Sequence, residues 1–188
     1  MGIEHIARSG KTYYLHKIIG AQGKEKYFFS TKSDGILVQA VPDGYEIYEN
    51  IDAQVFLRRR KKQLIQQDEF DLIQVEINKK KDSWKYKGEI KNNMIIIHEA
   101  CQECDWLEIL SPWVNKAKVE QMERQIAKYL SVMQFVLIND EERTFQAERY
   151  CFRGSIDGWI SIGFPDKLNL LANKLISRLG QESFYELM

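Results

Sequence analysis

The sequence predicts an α+β fold built mainly on antiparallel sheet, and three observations predict it. Short β-rich segments recur with turn chemistry between them, single stretches of helical period interrupt them, and no βαβ alternation of the kind a parallel sheet needs runs along the chain. The expected order is an aromatic-rich N-terminal β-meander over residues 1–64 followed by an α+β part over 65–188 with about three helices. The charged segment from Arg58 to Gln67 is the natural boundary between two subdomains, or a solvated strand end inside one continuous domain.

The meander opens with Lys11 to Ile18 and Lys26 to Thr31, where aromatic and β-branched residues flank Gly20-Ala21-Gln22-Gly23, as in a hairpin with a longer loop. A second hairpin follows the turn residues Pro42-Asp43-Gly44, pairing Tyr45–Glu49 with Gln54–Arg58 around Asn50 to Ala53. Period-two burial is expected to turn the early aromatic rings inward and leave the neighbouring cations wet.

The period then changes. Phe70, Ile73 and Ile77 recur at helical spacing, with acids at the start and Lys79, Lys80 and Lys81 at the end, so a helix over 68–81 complements its own dipole. Trp84–Glu89 and Met94–His98 form the next hairpin around Asn92-Asn93. Val119, Met122, Ile126 and Tyr129 predict a helix near 114–129, and Val132–Ile138 pairs with Thr144–Phe152 across a charged tip. In the second of these strands Phe145, Ala147 and Cys151 share a face. The stripe Leu168, Leu171, Ala172, Leu175 and Leu179 lies between Pro165-Asp166 and Gly180, a start and stop pair. The apolar residues Phe184, Tyr185, Leu187 and Met188 are expected to dock on the body or on a second subunit.

Composition bounds the function. With 44% hydrophobic and 29% charged residues among 188, the chain is expected to fold nearly throughout. Its 27 basic and 27 acidic side chains cancel, so a nucleic-acid or anionic-membrane partner has no bulk electrostatic support and needs a local patch. Residues 1–100 hold 17 Lys/Arg to 14 Asp/Glu, and 101–188 hold 10 to 13. No apolar run approaches the ~18 to 20 residues of a membrane span, and the start lacks the basic and apolar parts of a signal peptide. Gly2 invites N-myristoylation, but Ile6 stands where that signal wants Ser or Thr. Three cysteines fit free thiols in a reducing compartment, hence a cytoplasmic protein with no membrane partner.

Two constellations could carry binding chemistry. Arg58, Arg59, Arg60, Lys61 and Lys62 are consecutive cations, and with Tyr14 and Lys17 of the nearby hairpin they offer the charge and stacking that single-strand nucleic-acid binders use. Against this stands a sheet whose aromatics face its core and whose cations protect an edge. His98, Cys101 and Cys104 stand at spacings of three, and Cys151 would complete a tetrahedral site, for which zinc is the fitting metal; otherwise no cofactor is expected. Buried, inert thiols explain each cysteine equally well.

Weaker signals follow. Ser9-Gly10-Lys11-Thr12 copies the tail of a phosphate loop, but His5 replaces the required glycine, and a turn is the simpler reading. Asp82, Glu89 and Lys91 have a spacing that metal-dependent nucleases use and that chance often supplies. Arg149 to Ile160 reads as a loop-prone strand exit anchored by Trp159.

On Tyr13-Tyr14-Leu15-His16, on Gly44–Glu49 with Gln54–Arg58, and on Cys151 to Asp157, the chain resembles bacterial conserved-hypothetical proteins. The resemblance implies a bacterial cytosolic origin and carries over no catalytic or binding residue. The expected function is therefore a non-enzymatic binding or interaction protein with a protein partner or self-association. Nucleic-acid binding through the basic and aromatic residues is the alternative, and a metal-dependent hydrolase or nuclease stands third.

Overall fold

The computed structural model describes residues 2–101, 115–153 and 156–185. Its strands pair antiparallel throughout and its helices stand between and after them, so the fold is α+β. Two compact units divide the chain, residues 1–61 and 62–188. Among the described residues no helix is long and apolar enough to cross a membrane.

In the first unit β1 (Glu4–Ile6), β2 (Thr12–Ile19) and β3 (Glu25–Ser30) form a sheet in that order, and β4 (Tyr45–Glu49) pairs with β5 (Val55–Arg59). The turns use the backbone freedom their residues permit. Gly10 and Gly23 take φ of 79° and 71°, and Ala53, at 61°, is held because the Asn50 side-chain oxygen accepts from the backbone N–H of Asp52 and Gln54 at 3.1 and 2.8 Å. A strand precedes Ser9-Gly10-Lys11-Thr12, but it returns as an antiparallel hairpin with no helix to receive a phosphate.

The inward burial expected of the early aromatics fails here. Leu15 is fully buried and Val55 nearly so, whereas Tyr13, Tyr14, Tyr27 and Phe29 are half-buried and Phe28 is exposed. The reason lies in the sequence itself: the aromatics are adjacent, so period two sends Tyr13, Tyr27 and Phe29 to the face of Leu15, and Tyr14 and Phe28 to the other. A unit of about 60 residues has too little volume to cover both faces of a sheet. Residues 36–38 add a further ladder along β2, with the Val38 N–H donating to the Leu15 carbonyl at 2.9 Å.

The second unit contains α1 (Gln67–Asn78), a 3-10 turn (Ser83–Lys85), β6 (Tyr86–Lys91), β7 (Met94–Cys101), α2 (Lys116–Ile126), β8 (Lys128–Asn139), β9 (Thr144–Arg153), β10 (Ile156–Ser161), the two-residue β11 (Asp166–Lys167), α3 (Leu168–Ile176) and the short α4 (Glu182–Tyr185). The strands run β10-β9-β8-β7-β6, with β11 beside β9. One sheet face, bearing Ile95, Ile97, Met133, Phe135, Leu137, Phe145 and Ala147, shares a core with Ile73 and Ile77 of α1 and the stripe Leu168, Leu171, Ala172, Leu175 of α3. Phe184 is buried in the same core and so docks on its own unit, while Leu187 and Met188 lie outside the described residues.

Two local expectations change. Residues 149–153 of β9 pair with 156–160 of β10 as a continuous antiparallel ladder, and Gly154 and Ser155 lie outside the described residues. Trp159 joins no core; half-buried, it meets Tyr150 edge-on at 5.2 Å on the sheet face away from α1 and α3. Asp166 starts a strand bridge before the helix begins at Leu168.

Candidate functional site

The proposed nucleic-acid set does not converge. Tyr14 and Lys17 lie three residues apart on β2 and so project from opposite faces of the sheet. Lys17 pairs with Glu25 at 2.7 Å. This hydrogen bond raises the Lys17 pKa, and together with one from Tyr27 it lowers that of Glu25. Arg58 donates to Glu46 at 2.8 Å and stacks 3.9 Å over the Tyr48 ring, so its charge is already engaged. Arg59, the last residue of β5, and Arg60 and Lys61 after it are exposed, and Lys62, also exposed, opens the second unit.

The proposed zinc ligands are likewise spread. His98 and Cys101 lie on one uninterrupted strand, three apart, and period two places them on opposite faces. Cys151 is buried on β9, across β8 from β7, and Cys104 lies outside the described residues. Among the described residues no group of three His, Cys, Asp or Glu side chains is placed to hold a metal. Glu89 and Lys91 share one face of β6, while Asp82 precedes the 3-10 turn.

What the sheet does assemble is a polar constellation on the face away from α1 and α3. His98 sits between two strands: its Nε2 lies 3.0 Å from Glu89 Oε2 and its Nδ1 lies 3.2 Å from Ser131 Oγ. His98 is only 6% exposed, and Ser131 and Glu89 are half-buried. A β-bulge makes the contact. Ile97 pairs with Met133 but His98 pairs with Ser131, so Val132 is the extra residue of β8 and Ser131 is turned toward His98. Along the same face Gln134 donates to Glu148 at 2.6 Å, and Lys87, directly opposite His98, holds its ammonium 3.7 Å from the Tyr129 ring centroid. The sequence signal for this group was weak, since its three residues come from three strands with no fixed spacing.

The first unit offers a different kind of site. Cross-strand pairs place Ile6, Thr12, Tyr14, His16, Ile18, Lys26 and Phe28 on one sheet face. His16 is buried there because its Nε2 meets the Lys32 carbonyl at 2.8 Å and its ring stacks on Phe28 at 5.2 Å. Ile6, Ile18 and Phe28 on that face are 71%, 48% and 42% exposed. Compared with known proteins, the chain matches no family model, no curated protein and no solved structure.

Proposed function

We propose that the protein is a binding protein that engages an acidic protein partner through the exposed face of its N-terminal sheet. The observation that carries this reading is the exposure of Ile18 and Phe28 side by side with Lys26, which stands directly across from Ile18. Large apolar side chains grouped on an exposed face mark interaction surfaces. Charge selects the partner. Residues 1–61 carry ten Lys/Arg and seven Asp/Glu. Ion pairs of Glu25, Glu46 and Glu49 with Lys17, Arg58 and Arg8 take up three of each, leaving seven cations to four acids. An apolar surface set in net positive charge favours an acidic partner with apolar anchors and speeds its encounter.

The test is affinity capture with the wild-type chain beside the Ile18→Glu/Phe28→Glu variant, with thermal melts confirming that both are folded. Supporting the reading is an acidic protein that the wild type captures, that the variant loses, and that dissociates as salt rises. A partner retained by the variant overturns it. Salt-sensitive oligonucleotide binding that survives this variant but not Arg59→Glu/Arg60→Glu/Lys61→Glu assigns the function to nucleic acid instead, and dimerisation of the pure chain assigns the face to a second copy.

A further inference from the structure

With Glu89 ionised and the His98 imidazole neutral, the hydrogen bonds around His98 run in one direction. A carboxylate only accepts, so His98 Nε2 must donate to Glu89; in a neutral imidazole Nδ1 is then the acceptor, and Ser131 Oγ must donate its proton to it. That is the arrangement of a hydroxyl nucleophile primed by a base whose tautomer a carboxylate fixes. The two ring nitrogens are used in the order opposite to the familiar serine triad, which alters the orientation of the ring and not the proton chemistry. The ring is buried, so it is held in place, whereas Ser131 keeps part of its surface in solvent.

We propose that Ser131, His98 and Glu89 form an acyl-transfer site that hydrolyses carboxylic esters, with Ser131 the nucleophile, His98 the base and Glu89 a positioning residue. Ser131 Oγ attacks the ester carbonyl carbon as its proton passes to His98 Nδ1. The bond to the alcohol oxygen then breaks and the alcohol leaves with the proton from Nδ1, so that Ser131 carries the acyl group. Water attacks that ester, gives a proton to Nδ1, and the acyl–oxygen bond breaks as the proton returns to Ser131, releasing the carboxylic acid. Lys87 lies across from His98 on the same face, with its ammonium over the Tyr129 ring. This inference is independent of the N-terminal face.

The experiment treats the full chain with a fluorophosphonate probe across a range of pH and maps the labelled residue by mass spectrometry. Labelling at Ser131 is expected, with a rate that falls in acid because a protonated imidazole accepts no proton. Ser131→Ala should abolish it and His98→Gln should slow it by about 100-fold or more. Glu89→Gln should slow it and displace the acid limb of the pH profile, which a merely structural carboxylate would not do. Should His98→Gln fail to fold, the wild-type profile decides alone. A folded wild type unlabelled at Ser131, a rate unchanged in folded His98→Gln, or labelling without an acid limb overturns the assignment.

Discussion

Removing the Arg143 side chain should destabilise the second unit by about 2 kcal/mol. Arg143 sits in the turn between β8 and β9 and ties it to the start of α1: Nε donates to Glu69 Oε1 at 2.9 Å, Nη2 to Glu69 Oε2 at 2.5 Å, and Nη2 also to the Leu64 carbonyl at 3.2 Å. Glu69 in turn accepts from the Gln66 backbone N–H at 2.9 Å, capping α1. The two side chains are 23% and 12% exposed, between the surface pairs that contribute about 0 to 1 kcal/mol and the buried pairs whose breakage costs about 3 to 5. Glu69 holds the Arg143 pKa above its ordinary value. A raised basic pKa stabilises at every pH below the unfolded value, so salt, and not base, is the practical perturbant. Arg143 also has φ of 49°, in the left-handed region. Arg143→Gly should therefore be less destabilising than Arg143→Ala, by about 0.5 to 1 kcal/mol after allowing for the added unfolded-state entropy of glycine. Calorimetry should show Arg143→Ala lowering Tm by about 6 °C, and denaturant titration of a double-mutant cycle with Glu69→Gln should give about 1 kcal/mol or more of coupling. Alanine and glycine variants equal to wild type within about 0.5 kcal/mol, or additive losses with Glu69→Gln, would refute this account.

Glu49 supplies a pH-dependent term in the first unit. Burial, the largest influence, raises its pKa, but hydrogen bonds from the Arg8 side chain and backbone and from His5 outweigh it and leave the carboxyl low. A depressed acid pKa stabilises above the unfolded value and loses that contribution as pH falls through the folded one. Glu49→Gln should thus cost about 1 kcal/mol at neutral pH in urea unfolding, with the gap closing below about pH 4. Phe135→Ala, at a fully buried core position, should cost about 3 to 5 kcal/mol by denaturant titration. Gly180 has φ of 75°, and an added Cβ would meet Tyr86 Oη at 2.6 Å, so Gly180→Ala should lower Tm by several degrees, roughly 1 to 3 kcal/mol.

The helices α1 and α3 were legible because each buries a single stripe against a sheet, and a stripe is a one-dimensional pattern: Ile73 with Ile77, and Leu168 with Leu171, Ala172 and Leu175. The first unit was legible as strands but not as faces. Its aromatics come in adjacent pairs, and alternation must then expose one of each pair, a consequence of period two that composition conceals. The polar constellation fails to show for a different reason. Counting back by twos from Leu137, Phe135 and Met133 puts Ser131 on the core face of β8; the bulge at Val132 reverses that parity and delivers Ser131 to His98. The same parity rule removes Cys101 from His98, although their spacing suits a zinc knuckle, because ligand spacing rules presume a turn and β7 runs straight through both residues. One inserted residue therefore conceals from the sequence which side chains meet on this sheet. Deleting Val132 should close the bulge into a regular ladder in which Ser131 follows Met133 directly and still faces the imidazole, so that labelling of Ser131 survives the deletion in a folded variant.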